Sequence, residues 1–355
     1  MKKKLLFCSY DLNIGGIETA LINLLDNMDY DKYDIDLILE KKEGLLLDRL
    51  NKNVNVIEYR VSNSKNVVVR KFKNLFKKLF WILKNYHKYD FSCCYATYSL
   101  PCNMLAYYGS LNNSLYIHSN YKNIYDESGL RNFFDARRID KFKNIVFVAN
   151  EARNDMISFY PFLENNSMVI NNLINYDDIL KLSKENIDFK KKEKFLFVFV
   201  GRLEECSKRL TKLISVVKDI NSVELIVVGD GPDRDLYESL ISDCDRIHMV
   251  GAKKNPYPYM RIADYIVLSS DYEGFPVVYS EAIVLGKKII STIDVSDDFI
   301  SIPNRFGYIV SKNQEEMHDE IVDILKKDNL KYDKVDFCEV NFCKIKKVEK
   351  LIDQK

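Results

Sequence analysis

Short apolar runs alternate along this chain with longer segments in which apolar residues recur every three or four positions. Leu5 to Ser9, Ile35 to Glu40 and Val54 to Tyr59 have the length of buried strands, and Ile17 to Met28 has the spacing of an amphipathic helix. Further strands are predicted near Phe91 to Tyr95, Ser114 to Ile117 and Ile145 to Ala149. This βαβ succession predicts an open parallel sheet covered by helices on both faces. A polar stretch, 171–194, interrupts it, and the pattern then restarts with strands Phe195 to Val200, Glu224 to Val228, His248 to Val250 and Tyr265 to Leu268, separated by helices around Leu210 to Val217 and Asp233 to Ile241. The predicted class is α/β, with two Rossmann-like, doubly wound domains over residues 1–175 and 176–336. The last segment, 337–355, places Val340, Ile345, Val348 and Leu351 at helical spacing between lysines and is expected to pack on a domain surface, the N-terminal domain being the candidate.

At 355 residues the chain is long enough for two cores. Hydrophobic residues at 47% and charged residues at 30% exclude a disordered or fibrous class. The formal net charge of +1 hides an asymmetry: residues 1–175 carry 24 Lys and Arg against 19 acids. Eight cysteines are scattered without a CxxC pair or zinc-ligand spacing, which predicts reduced thiols, no metal site and a cytoplasmic setting. The basic, apolar start reads as a first strand rather than a signal peptide, because the run ends at Asp11 without a small-residue cleavage site. No run approaches the roughly 20 apolar residues that span a bilayer.

Candidate chemistry sits where predicted strands end. Gly15 and Gly16 follow the first strand and open a helix, where glycine lets backbone N–H groups approach an anion, although a Gly pair alone is also an ordinary turn. Gly201 and Arg202, then Lys208 and Arg209, follow the strand ending at Val200, a cation set able to neutralise a departing diphosphate. Gly229 to Pro232 reads as a structural turn, since no GxGxxG fingerprint is present and a nicotinamide dinucleotide has no support. Glu273 and Glu281 flank Gly274, Phe275, Pro276 and Val277, so that two carboxylates able to accept sugar or ribose hydroxyls bracket a turn into a helix.

The segment EGFPVVYSE at 273–281 resembles the E-x7-E signature of retaining GT-B glycosyltransferases, specifically glycosyltransferase family 4. GGIE at 15–18, IHSN at 117–120, GRLEECSKRL at 201–210, VGDGP at 228–232 and NPYPYMRIADYIVLSS at 255–270 are similar to other family segments, in the family's order. The resemblance implies a GT-B architecture whose N-terminal domain binds an acceptor and whose C-terminal domain binds a nucleotide sugar across a cleft. It further implies that Glu281 holds the ribose and Glu273 the donor sugar, that Arg202 and Lys208 stabilise the diphosphate, and that amides around Gly274 to Val277 line the donor. Gly16 would approach the phosphate, and His118 matches a position often near the donor sugar. An extra residue between Arg202 and Lys208 leaves Lys208 and Arg209 as alternative phosphate ligands. The implied reaction is metal-independent hexosyl transfer with retention, from a UDP-sugar, without cofactor, to a saccharide acceptor on a lipid carrier in surface-polysaccharide synthesis. A sugar-nucleotide epimerase on the same fold and a non-catalytic sugar-binding module are the rival readings.

Residues 65–90 contain eight Lys or Arg and one acid, interleaved with Phe72, Leu75, Phe76, Leu79, Phe80, Trp81 and Leu83. This predicts a cationic amphipathic helix for which two roles stand open: contact with an anionic membrane at its inner face, or ordinary core packing with a basic outer side. No nucleic-acid module accompanies the charge.

Overall fold

The computed structural model describes residues 1–294, 302–303, 305–332 and 334–354. It divides into two compact units, Met1–Leu173 with Asn341–Lys355, and Ile174–Val340. Each is built on one all-parallel sheet.

In the first unit the strands are β1 (Lys3–Ser9), β2 (Tyr33–Leu39), β3 (Val54–Glu58), β4 (Phe91–Cys94), β5 (Asn113–Ile117), β6 (Asn144–Phe147) and β7 (Ser167–Val169). Their order is β3-β2-β1-β4-β5-β6-β7. Every residue of β4, β5 and β6 is buried, as expected of strands covered on both faces. The chain winds outward from β1 to β3, then returns to the other side of β1 with β4. Their adjacent carboxyl ends therefore form the topological switch point, where doubly wound sheets hold ligands. The loop beginning at Tyr10 follows β1, and the loop Tyr95 to Ser99 follows β4.

The second unit repeats the scheme with β8 (Phe195–Val200), β9 (Val223–Val228), β10 (Ile247–Gly251), β11 (Tyr265–Leu268), β12 (Lys288–Ser291) and β13 (Gly307–Ile309), ordered β10-β9-β8-β11-β12-β13. Its switch point lies between β8 and β11, which pair through Tyr265 with Phe197 and Ile266 with Val198. Phe197, Phe199, Leu213, Leu225, Val227 and Val267 belong to the core on one face of this sheet.

The predicted elements are present with ends displaced by a residue or two, as expected where terminal turns fray. The strands β7 and β13 were not foreseen, since three residues leave too short a pattern to read. The polar stretch 171–194 holds a helix, Tyr176–Leu182, which has Asp177 and Asp178 in its first turn and buries Ile179. The terminal helix runs Phe337–Ile352. From Asn341 onward it is part of the first unit, where Asn112 Nδ2 donates to the carbonyls of Leu351 (3.0 Å) and Ile352 (3.1 Å) and the buried Lys344 donates to Asn172 O at 3.0 Å. Lys355, and residues 295–301 and 304 inside the stretch of strongest family resemblance, lie outside the described residues.

Candidate active site

The two loops at the second unit's switch point carry the acids and cations singled out in the sequence. The first, 201–209, is tied to the ends of three strands. Gly201 N donates to Val228 O (3.1 Å), Leu203 N to Asp230 O (3.0 Å), Asp233 N to Leu203 O (3.2 Å), and Gly229 N to Gly251 O (3.1 Å). Glycine is required at the contact: a Cβ on Gly229 would fall 1.9 Å from Gly201 O, and one on Gly231 2.3 Å from Leu203 O. The GDGP turn thus locks the loop that bears the cations, and Asp233 Oδ2 adds a hydrogen bond from Glu205 N at 2.7 Å.

Lys208 ends a short helix, Glu205–Lys208, and its ammonium forms an ion pair with Oε1 of Glu273. Both side chains are largely buried. Ser270 Oγ donates to the same carboxylate oxygen at 2.7 Å, and Ser269 Oγ donates to Lys208 O at 2.8 Å, so the two loops are stitched together. Arg209 adopts the left-handed conformation (φ 49°), and its Nε donates to Asp271, whose other oxygen lies 3.8 Å from Lys212. The alternatives left open for the phosphate ligand therefore have different partners: Lys208 is gathered with Glu273, and Arg209 is committed to Asp271. Arg202 takes a third course, with its side chain 69% exposed and Nε 3.9 Å from Glu204 Oε1.

The helix Val277–Val284 begins immediately after Pro276, with no side-chain cap at its N-terminus. Phe275 is buried and anchors the turn, leaving Gly274 half-buried at the surface. Glu281 sits on the second turn of this helix, buried, with Tyr257 OH donating to Oε1 at 3.1 Å. The sequence reading missed Ser270, Asp271 and Tyr257. Tyr257 stands within NPYPYMRIAD, but its reach to a carboxylate 24 positions later is a product of the fold.

In the first unit Gly15 caps the helix Gly16–Asp26 with an extended φ of −166°, and a Cβ placed on Gly16 would meet no atom within 4 Å. At Gly15 the Glu18 carboxylate lies close by, since a Cβ there would fall 2.2 Å from Glu18 Oε2, and no side chain hydrogen-bonds the cap. His118 follows β5 and is buried, 4.4 Å centroid to centroid from Tyr95. Its Nε2 has no hydrogen-bond partner among the described residues. Burial depresses the imidazole to about 3, against a small upward pull from a hydrogen bond to the Tyr95 backbone, so the ring is neutral at any physiological pH. A neutral, orphaned ring nitrogen at a strand's carboxyl end can exchange a hydrogen bond with a ligand hydroxyl, and it cannot act as a charged acid. Among the described residues, no group of three or more His, Cys, Asp or Glu is placed to hold a metal ion.

Residues 182–335 match the protein family described as glycosyl transferases group 1. Most of the second unit, Ile174–Val340, thus resembles glycosyl transferases group 1. The chain is 27% identical over 163 residues to an uncharacterised glycosyltransferase of Methanocaldococcus jannaschii, covering 43% of this chain and 40% of that protein. It is 23% identical over 181 residues to a Campylobacter jejuni enzyme named N-acetylgalactosamine-N,N'-diacetylbacillosaminyl-diphospho-undecaprenol 4-alpha-N-acetylgalactosaminyltransferase, covering 50% and 49%. The chain thus spans less than half the length of each of these curated relatives. The Anabaena protein HepE, solved in complex with UDP and glucose, superposes with a TM-score of 0.76 at 16% identity over 98% of this chain and 99% of that one. That likeness concerns the fold and takes in both units, which are Rossmann-like parallel-sheet domains of the GT-B kind.

Proposed function

We propose that the chain is a retaining, metal-independent glycosyltransferase that moves a hexose from a UDP-sugar to a saccharide acceptor on a lipid carrier, in the assembly of a surface polysaccharide such as a capsule. The observation that carries this reading is the joining of Lys208 and Glu273 at the β8/β11 switch point, inside the stretch that resembles glycosyl transferases group 1. A diphosphate leaving group needs positive charge placed before the bond breaks, and a sugar needs acceptors for its paired hydroxyls. Lys208 supplies the first and Glu273 the second, each oriented by the other and by Ser270. Arg202, exposed beside this pair in sequence, is positioned on a loop where a diphosphate could recruit it. Glu281 would take the ribose hydroxyls with Tyr257 holding its carboxylate, and the uncapped N–H groups after Pro276 would face the donor's oxygens. Gly15, Gly16 and His118 belong to the same proposal from the first unit, the glycines toward phosphate and the imidazole toward a sugar hydroxyl.

Support for the donor comes from HepE, solved with UDP and glucose, and for the acceptor from the undecaprenol-linked substrate in the C. jejuni enzyme's name. In the front-face route to retention the acceptor attacks on the face the diphosphate leaves, its oxygen forming the new glycosidic bond as the bond to the diphosphate breaks, and the departing phosphate oxygen takes the acceptor proton. No protein base is then needed.

The test is incubation of the purified protein with a UDP-hexose and a polyprenol-linked saccharide, with UDP release followed and the product's anomeric proton read by NMR. The expected product retains the donor's configuration, forms equally in EDTA, and forms about 10²- to 10³-fold more slowly with Lys208→Ala. An inverted product, or a requirement for added divalent metal, would overturn this mechanism.

A further inference from the structure

The helix Val67–Asn85 is turned the opposite way from an ordinary surface helix. Placed at about 100° per residue, its apolar side chains apart from Val67, Trp81 and Ile82 occupy an arc about 140° wide. That arc includes Val68, Phe72, Phe76, Leu79, Phe80 and Leu83, all of them exposed: Phe72 by 69%, Phe76 by 66% and Leu83 by 84%. The side held by the protein is the other one. Asn74 accepts a hydrogen bond from Ser62 N at 2.7 Å, Trp81 packs against the core of the first unit, and Asn85 is buried. The cations fill the two flanks between these faces, Arg70, Lys73, Lys77 and Lys84 on one and Lys71 and Lys78 on the other, and 65–89 contains no acid. Asn66 caps the helix start through Val68 N (3.0 Å) and Val69 N (3.2 Å).

The geometry points to an interfacial membrane helix: the face carrying Phe72, Phe76 and Leu79 enters the acyl boundary of an anionic bilayer while the lysine flanks meet its head groups. Three observations favour this occupant over a protein surface. An apolar face of this extent is costly to leave in water. The cations border the apolar arc on both sides, where the head-group layer of a bilayer would lie against a helix in the interface plane. Aromatic and long aliphatic side chains lead, and the charge is of one sign, which suits a surface of phosphates rather than a second copy of the same cationic helix. The surface would also bring the first unit to a lipid-borne substrate, although the docking itself does not depend on the transferase reading.

Flotation of the full-length protein with phosphatidylcholine vesicles and with phosphatidylcholine–phosphatidylglycerol vesicles, at low and high salt, tests this. The expected result is flotation with the anionic vesicles, weakened by salt. Partitioning should fall by about tenfold or more in a Phe72→Ser, Phe76→Ser, Leu79→Ser variant. A Lys71→Gln, Lys73→Gln, Lys78→Gln variant should lose the preference for anionic lipid. Circular dichroism and thermal melting report whether either variant remains folded, and the exposed positions predict that both do. Three outcomes overturn the proposal: no flotation with anionic vesicles at low salt, equal flotation of the serine variant, or a lipid-free dimer in sedimentation velocity that the serine variant dissolves.

Discussion

Among single residues, His118 differs most from its sequence appearance. The sequence offers a histidine at a strand end, which the family resemblance places near the donor sugar and which could also be structural. Burial answers part of the question, because a ring held neutral down to about 3 has no charged form to offer a reaction near pH 7. It also has a thermodynamic consequence. The unfolded chain's imidazole takes up its proton near pH 6.5, whereas the folded one does not until about 3, so the unfolded state binds more protons across that window and stability falls as pH falls. His118→Gln should remove up to about 1.4 kcal/mol per pH unit from the slope of unfolding free energy between those values, measured by urea denaturation at stepped pH. An unchanged slope would mean that the ring is solvated. The roles of Lys208 and Arg209 were likewise undecidable from spacing, since neighbouring residues on a turn diverge. The left-handed backbone at Arg209 sends its side chain to Asp271 and leaves Lys208 with Glu273.

Among the elements, the strands of both sheets were legible because parallel strands buried on two faces are continuous apolar runs. The missing members, β7 and β13, are edge strands of three residues, where that signal fades. The helix Val67–Asn85 shows a different limit. Its amphipathic pattern was plain, but periodicity gives the width of an apolar arc and not the side on which the protein lies, and it was Asn74, Trp81 and Asn85 that revealed this. A third element-level feature left no sequence mark: Asp328 gathers Tyr265 OH, Tyr308 OH and Lys288 Nζ, which join β11, β12 and β13 at their amino ends. Burial would raise this carboxyl, but the ammonium and the two hydroxyls outweigh it and hold it down at about 2. Its contribution is present above the unfolded value near 4 and is lost as pH falls through about 2. Asp328→Asn should lower stability at pH 7 by about 2 kcal/mol, with the difference from the parent shrinking below pH 4. Thermal unfolding of the two proteins across pH checks this, and equal melting at pH 7 would show the cluster to be neutral in energy.

For the whole molecule, two Rossmann-like units could be read from the restart of the βαβ pattern after residue 194. The residues of chemical interest could be located because such sheets bind at the carboxyl ends of the strands flanking the switch point. That rule places 201–209 and 269–281 together in one unit without any motif. The family match over 182–335 rests on that same unit. What the pattern could not supply is the supporting polar network: Asp271 and Tyr257 meet partners 62 and 24 positions away, which leaves no periodicity to detect, and Ser270 reaches Glu273 through a local turn that spacing does not mark.

The central claim is that the second unit binds a nucleotide sugar through Glu281 and the loops around it. Isothermal titration of the parent protein and of Glu281→Ala with UDP-, GDP- and ADP-sugars, in buffer containing EDTA, tests it most directly. The account predicts binding of a UDP-sugar by the parent and its loss in the variant, which remains folded by circular dichroism. Failure of the parent to bind any nucleotide sugar, or equal binding by the two proteins, would contradict it.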